Sequence, residues 1–352
     1  MARVLMKGNE ALAEAAIRAG CIHFFGYPIT PQTEVSAYMS RVLPKLGGTF
    51  LQAESEVAAI NMVLGAASAG VRTMTSSSSP GISLKTEGIS YLAGSDLPCV
   101  IMNIQRGGPG LGGIQPSQAD YYQATKAPGH GDLHVLVFAP STVQEMVDTL
   151  FKAFDLSEEY RVPAMILGDG LLGQMMEPVE FPENEIKPHA KPWATTGTGG
   201  KRKPNITNSL FLQPDALENK ILERFERYAQ IEEKHSDCEE FLTEDADVLI
   251  VAYGASSRIV RSAVVAAREQ GIKAGLLRPI TLWPFPKKQI AAAAERAKNV
   301  LVVEMSMGQM VDDVRLVVNG TRPVEFFGRT GGMIPTPADV LEEIKKVSGG
   351  VK

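Results

Sequence analysis

Residues 49–75 read TFLQAESEVAAINMVLGAASAGVRTMT. Thr49–Ala53 has the length and apolar content of a short strand, and Val71–Thr75 is a second one. Between them Ser55–Gly70 is rich in small residues and almost uncharged, which predicts a buried helix. The same alternation runs outward in both directions. Helix Asn9–Gly20, strand Ile22–Gly26 and helix Thr33–Leu46 are expected before it. After it come helix Gly81–Leu92, strand Pro98–Ile104, and strands His134–Ala139 and Pro163–Gly168 with helix Thr142–Leu156 between them. Continuously apolar strands separated by helices predict a parallel sheet covered on both faces.

Composition changes after Pro178. Residues 182–213 are polar and loop-like, 215–235 form a charged helical pattern, and DADVLIVAYG opens a second unit beyond a boundary near residue 240. That unit has strands at Val248–Ala252, Ala274–Leu277 and Asn299–Val303, and helices at Ser257–Gln270 and Lys287–Ala297. The expected class is α/β, with doubly wound parallel-sheet domains at 1–180 and 245–352 joined by a linker and charged helix at 181–244.

The 352 residues suit about two domains. A net charge of −5 argues against nucleic-acid binding and against a polybasic membrane role. No stretch reaches about 18 uncharged apolar residues, and the start MARVLMKGNEALAEAA has no secretory apolar core, so a cytoplasmic protein is expected. The three cysteines, Cys21, Cys99 and Cys238, are far apart and form no CxxC, so neither a disulfide framework nor an iron–sulfur site is expected. His130 and His134 in GHGDLH are spaced as metal ligands on a helix would be, but Gly129 and Gly131 favour a polar loop-to-strand junction.

Open parallel sheets bind ligands beyond the carboxyl ends of their strands. The loops expected there are FGYPITP, QAESE, TSSSSPG and QRGGPGLGG. In the first, Pro28 and Pro31 bracket Ile29 and Thr30 and restrict their backbone. In the second, Ser55 suits a helix cap, and either Glu54 or Glu56 is a candidate functional acid. Arg106 emerges from a strand, either to pair with one of those acids or to offer a fork to a substrate carboxylate. The Gly108–Gly113 run satisfies GxGxxG, but IQPSQADYY follows where a dinucleotide site needs a helix at once, so a flexible or close-approach glycine loop is expected. Gly168-Asp169-Gly170 reads as a turn, and LRPITLWPFP (277–286) as a structural loop that forms an interface.

Taken together, KGNEA (7–11), GYPITP (26–31), QAESEVAAI (52–60), SSSPGISLKTEG (77–88), IQRGGPG (104–110), LRPITLWPFP and VEMSMGQM (303–310) resemble one family. It is the 2-oxoacid:ferredoxin oxidoreductases, and the likeness is to the subunit with the pyrimidine-binding and transketolase C-terminal-like domains. It covers residues 1–180 and 245–352. Within the family it is strongest to 2-oxoisovalerate (3-methyl-2-oxobutanoate) ferredoxin oxidoreductase, through QAESEVAAINM, SSSSPGISLK and GGIQPSQADYYQA. The resemblance implies oxidation of a 2-oxo acid with CoA and ferredoxin to acyl-CoA, CO2 and reduced ferredoxin, dependent on thiamine diphosphate. It implies catalytic roles for Glu56, Arg106 and Thr30, and cofactor contacts from Pro28, Thr30, Glu56 and Arg106. Glu56 is the acid that would share a proton with N1′ of the aminopyrimidine. Mg2+, the diphosphate contacts and the [4Fe–4S] clusters are implied on partner subunits in a hetero-oligomer, since this chain lacks the motifs for them. The alternatives are 2-oxoglutarate or pyruvate as substrate, a lipoamide-linked 2-oxoacid dehydrogenase β-type subunit, and a non-catalytic scaffold. The chain departs from many relatives at Ser79, where they have glycine, and at Lys85, where an apolar residue is common.

Overall fold

The computed structural model describes residues 3–182 and 189–349; part of the 182–213 stretch and both extreme ends lie outside the described residues. The first unit runs β1 (Val4–Lys7), α1 (Gly8–Arg18), β2 (His23–Gly26), α2 (Thr33–Val42), a 3-10 turn at Leu43–Leu46, β3 (Thr49–Gln52), α3 (Glu56–Ser68) and β4 (Thr73–Ser77). It continues with α4 (Ser79–Ser83), α5 (Thr86–Gly94), β5 (Val100–Gln105), α6 (Tyr121–Thr125), β6 (Leu136–Phe138), α7 (Val143–Tyr160), β7 (Ala164–Asp169), α8 (Gly170–Gln174) and β8 (Met176–Val179). The charged helix is α9 (Pro214–His235). Then follow β9 (Cys238–Phe241), β10 (Val248–Val251), α10 (Gly254–Glu269), β11 (Ala274–Pro279), β12 (Thr281–Trp283), α11 (Lys287–Arg296), β13 (Asn299–Glu304), α12 (Met310–Val318), β14 (Val324–Gly328) and α13 (Pro337–Val347).

The α/β class holds, and the long apolar strands are where the pattern puts them. The first sheet has the order β12-β6-β7-β5-β4-β2-β3 and the second β14-β13-β10-β11-β9. Both are parallel except at one edge. There β12 runs antiparallel to β6, and β9 antiparallel to β11. β1 and β8 form a separate antiparallel pair. Every residue of β5 and β7 is buried, the pattern of strands covered on both faces.

Three expectations need correcting. The helix expected at Gly81–Leu92 is two helices, broken after Ser83, and at the break Lys85 turns inward and is fully buried. α3 is not buried all round. Glu56, Ala59, Ile60, Val63 and Ala67 face inward, while Val57 remains 43% exposed. Absence of charge therefore marks an uncharged outer face here, with Val57, Asn61 and Gly65 exposed, rather than a helix enclosed within this chain. Gly168-Asp169-Gly170 is the junction of β7 with α8 rather than a turn. Asp169 caps α8 by accepting from the backbone N–H groups of Leu171 (2.8 Å) and Leu172 (3.1 Å). Glu304 does the same work at the end of β13, accepting from Met310 and Val311 N–H at 3.0 Å each. Each buried carboxylate meets helix donors that would otherwise lack partners.

The two sheets are tied together by an aromatic cluster and a buried polar residue. β12 follows the second unit's β11 yet completes the edge of the first sheet, and Trp283 at its end stacks on His134 at 4.6 Å between ring centroids. Tyr228 of α9 packs on both rings. LRPITLWPFP is thus interface-forming, as expected, and the histidine of GHGDLH is one of its packing partners. Gln118 is the polar counterpart. Its amide donates to the Tyr253 carbonyl at 2.8 Å, while its side-chain oxygen accepts from Met305 N at 3.0 Å and Ser256 Oγ at 2.5 Å. Its backbone N–H donates to the Met305 carbonyl at 2.8 Å. No helix among the described residues is long and apolar enough to cross a membrane.

Gln118→Leu orphans buried groups on both sides of the junction. It should lower the denaturant midpoint by an amount equivalent to roughly 1–3 kcal/mol for each buried group left unpaired. Asp169 gives a pH signature. Burial raises its carboxyl from 3.8 to about 6, so the folded chain keeps a proton there that the unfolded chain has released. That contribution to stability is present at low pH and lost as the pH rises from about 4 to about 6. In paired urea titrations, the stability of Asp169→Asn relative to the parent should rise across that window and stay level above it.

Candidate functional site

β3, β2, β4 and β5 are neighbours in the first sheet, so the loops that leave their carboxyl ends meet, as the sequence predicts. Glu54 and Glu56 differ in position. Glu54 is exposed, whereas Glu56 is 6% exposed at the first turn of α3, beside the capping Ser55, whose hydroxyl accepts from Ala58 N at 3.1 Å. The Glu56 carboxylate lies over Gly81. A Cβ added there would come within 2.7 Å of Glu56 Oε1 and 2.1 Å of Ser77 Oγ. The glycine of SSPG is therefore the floor on which an acid and a hydroxyl converge. Ser77 and Ser78 present buried hydroxyls with no hydrogen-bond partner.

Arg106 is buried at the end of β5. Its guanidinium donates to the carbonyls of Thr30 (2.9 Å) and Leu111 (3.1 Å), and Nε is left without a partner. Its contacts within the chain are to main-chain carbonyls rather than to Glu54 or Glu56, so the ion pair of the sequence reading does not form. The glycine loop curls around it. Gly112, at φ +56°, brings its Cα so close to the Gly107 carbonyl that a Cβ would lie 1.9 Å from the oxygen. Of the flexible and close-approach roles expected of the GxGxxG run, this is the close approach, and no helix follows it until Tyr121.

Thr30 and Pro28 are both exposed, and the Thr30–Pro31 peptide is cis. Besides Arg106 on the Thr30 carbonyl, Asn9 of KGNEA donates to the Pro31 carbonyl at 2.8 Å. Thr30 and Pro31 border a cavity of about 530 Å³ with Ile114, Leu171, Met175 and Ile334. Ile334 comes from the second unit, and the turn at Gly331–Gly332 packs against Gly107 and Gln115. The structure thus brings Glu56, Arg106 and Thr30 to one edge. The acid and the guanidinium are buried there, and the threonine is exposed.

Asn9, Asp120 and Asn103 escaped the sequence reading. Ser79 Oγ donates to Asp120 at 2.7 Å and accepts from Arg106 N at 3.0 Å, and Asn103 donates to the same Asp120 oxygen at 2.9 Å. Burial pushes the Asp120 carboxyl up, and these two donors oppose that shift. Ser79 sits at φ +20°, at the border of the region that favours glycine. Its hydrogen bonds offset a strained backbone.

A family model described as "Pyruvate flavodoxin/ferredoxin oxidoreductase, thiamine diP-bdg" matches residues 14–240, and "Pyruvate:ferredoxin oxidoreductase core domain II" matches 246–340. The chain belongs to the 2-oxoacid:ferredoxin oxidoreductases. It is 50% identical over 351 residues to the ketoisovalerate oxidoreductase subunit VorB of Methanothermobacter thermautotrophicus, covering 99% of each chain. To that organism's 2-oxoglutarate synthase subunit KorA it is 40% identical over 372 residues, covering 97% of this chain and 98% of KorA. Among solved structures it matches the 2-oxoglutarate:ferredoxin oxidoreductase from Magnetococcus marinus with 2-oxoglutarate, coenzyme A and succinyl-CoA bound. The TM-score is 0.87 at 29% identity, over 98% of this chain and 65% of that one. A split-gene transketolase in an inactive β4 tetramer (TM-score 0.60, 16% identity, 97% and 96% covered) shares the fold. The family read from the loops is therefore borne out, and its first matched domain is a thiamine diphosphate-binding one.

Ser79→Ala removes a donor to Asp120 and an acceptor for Arg106 N, and should cost roughly 1–3 kcal/mol in denaturant unfolding. Ser79→Gly loses the same bonds but relaxes the backbone, so its midpoint should fall between those of the parent and the alanine variant.

Proposed function

We propose that this chain supplies the aminopyrimidine half of a thiamine diphosphate site in a multi-subunit oxidoreductase. The enzyme would convert a 2-oxo acid, CoA and oxidised ferredoxin to acyl-CoA, CO2 and reduced ferredoxin. The observation that carries this reading is the buried Glu56 carboxylate over Gly81 at the carboxyl edge of a parallel sheet. The residues present suit the cofactor's pyrimidine: a carboxyl group for a ring nitrogen, and the unpartnered Ser77 and Ser78 hydroxyls for polar ring atoms. When bound, thiamine diphosphate supplies the electron sink for loss of CO2 from a 2-oxo acid.

In this reading Glu56 holds or releases a proton at the ring nitrogen, in a site closed to bulk water. Arg106 keeps an unpartnered Nε for a carboxylate or an anionic intermediate state, while its other nitrogens hold the Thr30 and glycine loops in place. Thr30 presents its hydroxyl at the mouth, and Pro28 stiffens the approach. Diphosphate contacts and Mg2+ belong to one partner subunit and [4Fe–4S] clusters to another, and the uncharged outer face of α3 is where a partner closes the site. The division at residues 1–180, 181–244 and 245–352 and a cytoplasmic location are part of the same reading. The higher identity to the ketoisovalerate subunit than to the 2-oxoglutarate one favours a branched-chain 2-oxo acid, 2-oxoisovalerate, as substrate.

The test is the co-expressed complex, assayed for CoA-dependent reduction of ferredoxin or a viologen with a panel of 2-oxo acids. 2-Oxoisovalerate should give a higher kcat/KM than 2-oxoglutarate or pyruvate. Glu56→Gln should lower kcat by roughly 10²–10⁴-fold with assembly intact, the range for loss of a general acid–base group. Thr30→Val should lower kcat/KM without shifting the melting temperature. Unchanged turnover in Glu56→Gln would leave the chain a scaffold.

A further inference from the structure

Asp120 stands where a short run of chain is gripped from two sides. Its own atoms belong to the first unit. Oδ2 accepts from Ser79 Oγ at 2.7 Å and Asn103 Nδ2 at 2.9 Å, and the Asp120 N–H donates to Gln105 Oε1 at 3.1 Å. Asn103 Oδ1 accepts in turn from the Ser79 N–H at 3.2 Å, which closes a ring. Asp120 thus holds two of the last three residues of β5. The next residue is Arg106, whose N–H donates to Ser79 Oγ at 3.0 Å.

The neighbours of Asp120 are held by the second unit. Gln118 N–H donates to the Met305 carbonyl, and Gln309 Nε2 donates to the Ala119 carbonyl, both at 2.8 Å. Gln309 Oε1 accepts from Tyr122 N–H at 2.8 Å, and the Tyr121 hydroxyl donates to Asp313 at 2.5 Å. Just upstream, Arg106 and Pro116 form an antiparallel bridge that closes the base of the glycine loop. Residues 116–122 therefore join that loop, the Asp120 carboxylate and the second unit in one stretch.

The direction of one hydroxyl connects Asp120 to Arg106. Ser79 Oγ has a single proton and two acceptors within reach, Asp120 at 2.7 Å and the Arg106 carbonyl at 3.2 Å. The nearer, charged acceptor takes it. The Oγ lone pairs are then left for the Arg106 N–H. Without the carboxylate the hydroxyl is released to turn toward the Arg106 carbonyl, and the end of β5 loses a fixed partner. The link reaches the Arg106 main chain, while its guanidinium is occupied with the carbonyls of Thr30 and Leu111.

We propose that Asp120 is a positioning residue for Arg106, and that through it the second unit fixes where the guanidinium meets the carboxylate of a 2-oxo acid. This rests on the role given to Arg106 under the proposed function. A side chain that must meet a carboxylate in a set geometry depends on the shell that holds it.

The experiment is steady-state kinetics of the co-expressed complex with 2-oxoisovalerate, varying the oxo acid and CoA separately. Asp120→Ala should raise KM for the oxo acid and lower kcat/KM roughly tenfold or more, the scale of a hydrogen bond to a charged group, with KM for CoA unchanged. Loss of folded enzyme lowers kcat alone and leaves both KM values in place. Asp120→Asn keeps an oxygen for both donors and should restore most of kcat/KM. Gln309→Ala, which touches the segment only from the second unit, should raise the same KM by a smaller factor, and it carries the test should Asp120→Ala fail to assemble. In an Arg106→Met background, adding Asp120→Ala or Gln309→Ala should change kcat/KM by less than about threefold, because coupled residues are not additive. Losses that multiply in full in that background, or a fall in kcat with KM for the oxo acid unmoved, would overturn the proposal. Should Arg106→Met by itself match the parent, the role given to Arg106 falls and the proposal with it.

Discussion

Two adjacent carbonyls in one proline-bounded loop are held by buried side chains from distant parts of the chain. Arg106 donates to Thr30 at 2.9 Å and Asn9 to Pro31 at 2.8 Å. A loop interrupted by prolines has fewer N–H groups with which to bond itself or its neighbours, so its order must come from donors elsewhere. Arg106 meets this need and holds the glycine loop through Leu111 at the same time. Asn9 brings in the start of α1. The motifs KGNEA, YPITP and QRGGPG are separated in sequence but form one hydrogen-bonded unit.

Around that unit the site is economical in its charges. Glu56 and Arg106 are both buried at the same edge, yet the guanidinium is taken up by carbonyls and the carboxylate sits over a glycine. Had they paired, each would have quenched the other, and neither would be available to a ligand. Asp120 and Ser79 extend the scheme around Arg106, and Ser79 is a hydrogen-bonding position at a backbone that favours glycine. Strand-end carboxylates that cap the next helix, Asp169 and Glu304, stiffen the same face of both sheets.

Most of the fold was legible because its signals are local. Apolar runs such as VIMNIQ and AMILGD are buried on both faces, and helical spacing such as that of α7 persists for several turns. β12 and β9 were not legible, since three or four residues at a sheet edge have little periodicity and their pairing is decided by whichever strand lies alongside. In the site, the convergence of four loops followed from strand–helix alternation. The preference for Glu56 over Glu54 did not, because two acids two residues apart differ only in which way the helix start turns them. The burial of Lys85 was not legible either, since lysine in a sequence ordinarily reads as surface.

The sequence by itself determined the α/β class, the order of the parallel strands' loops, and the family, because each rests on patterns or motifs contained in short segments. Only the tertiary structure decided which acid is buried, where the Arg106 guanidinium goes, that Gln118 and Trp283 bind the two sheets together, and that Lys85 lies beneath Glu56. Those are contacts between residues far apart in the chain or turned by a single helical break. Their energies depend on burial and on which partners are within reach, and neither quantity is carried by a residue's identity alone.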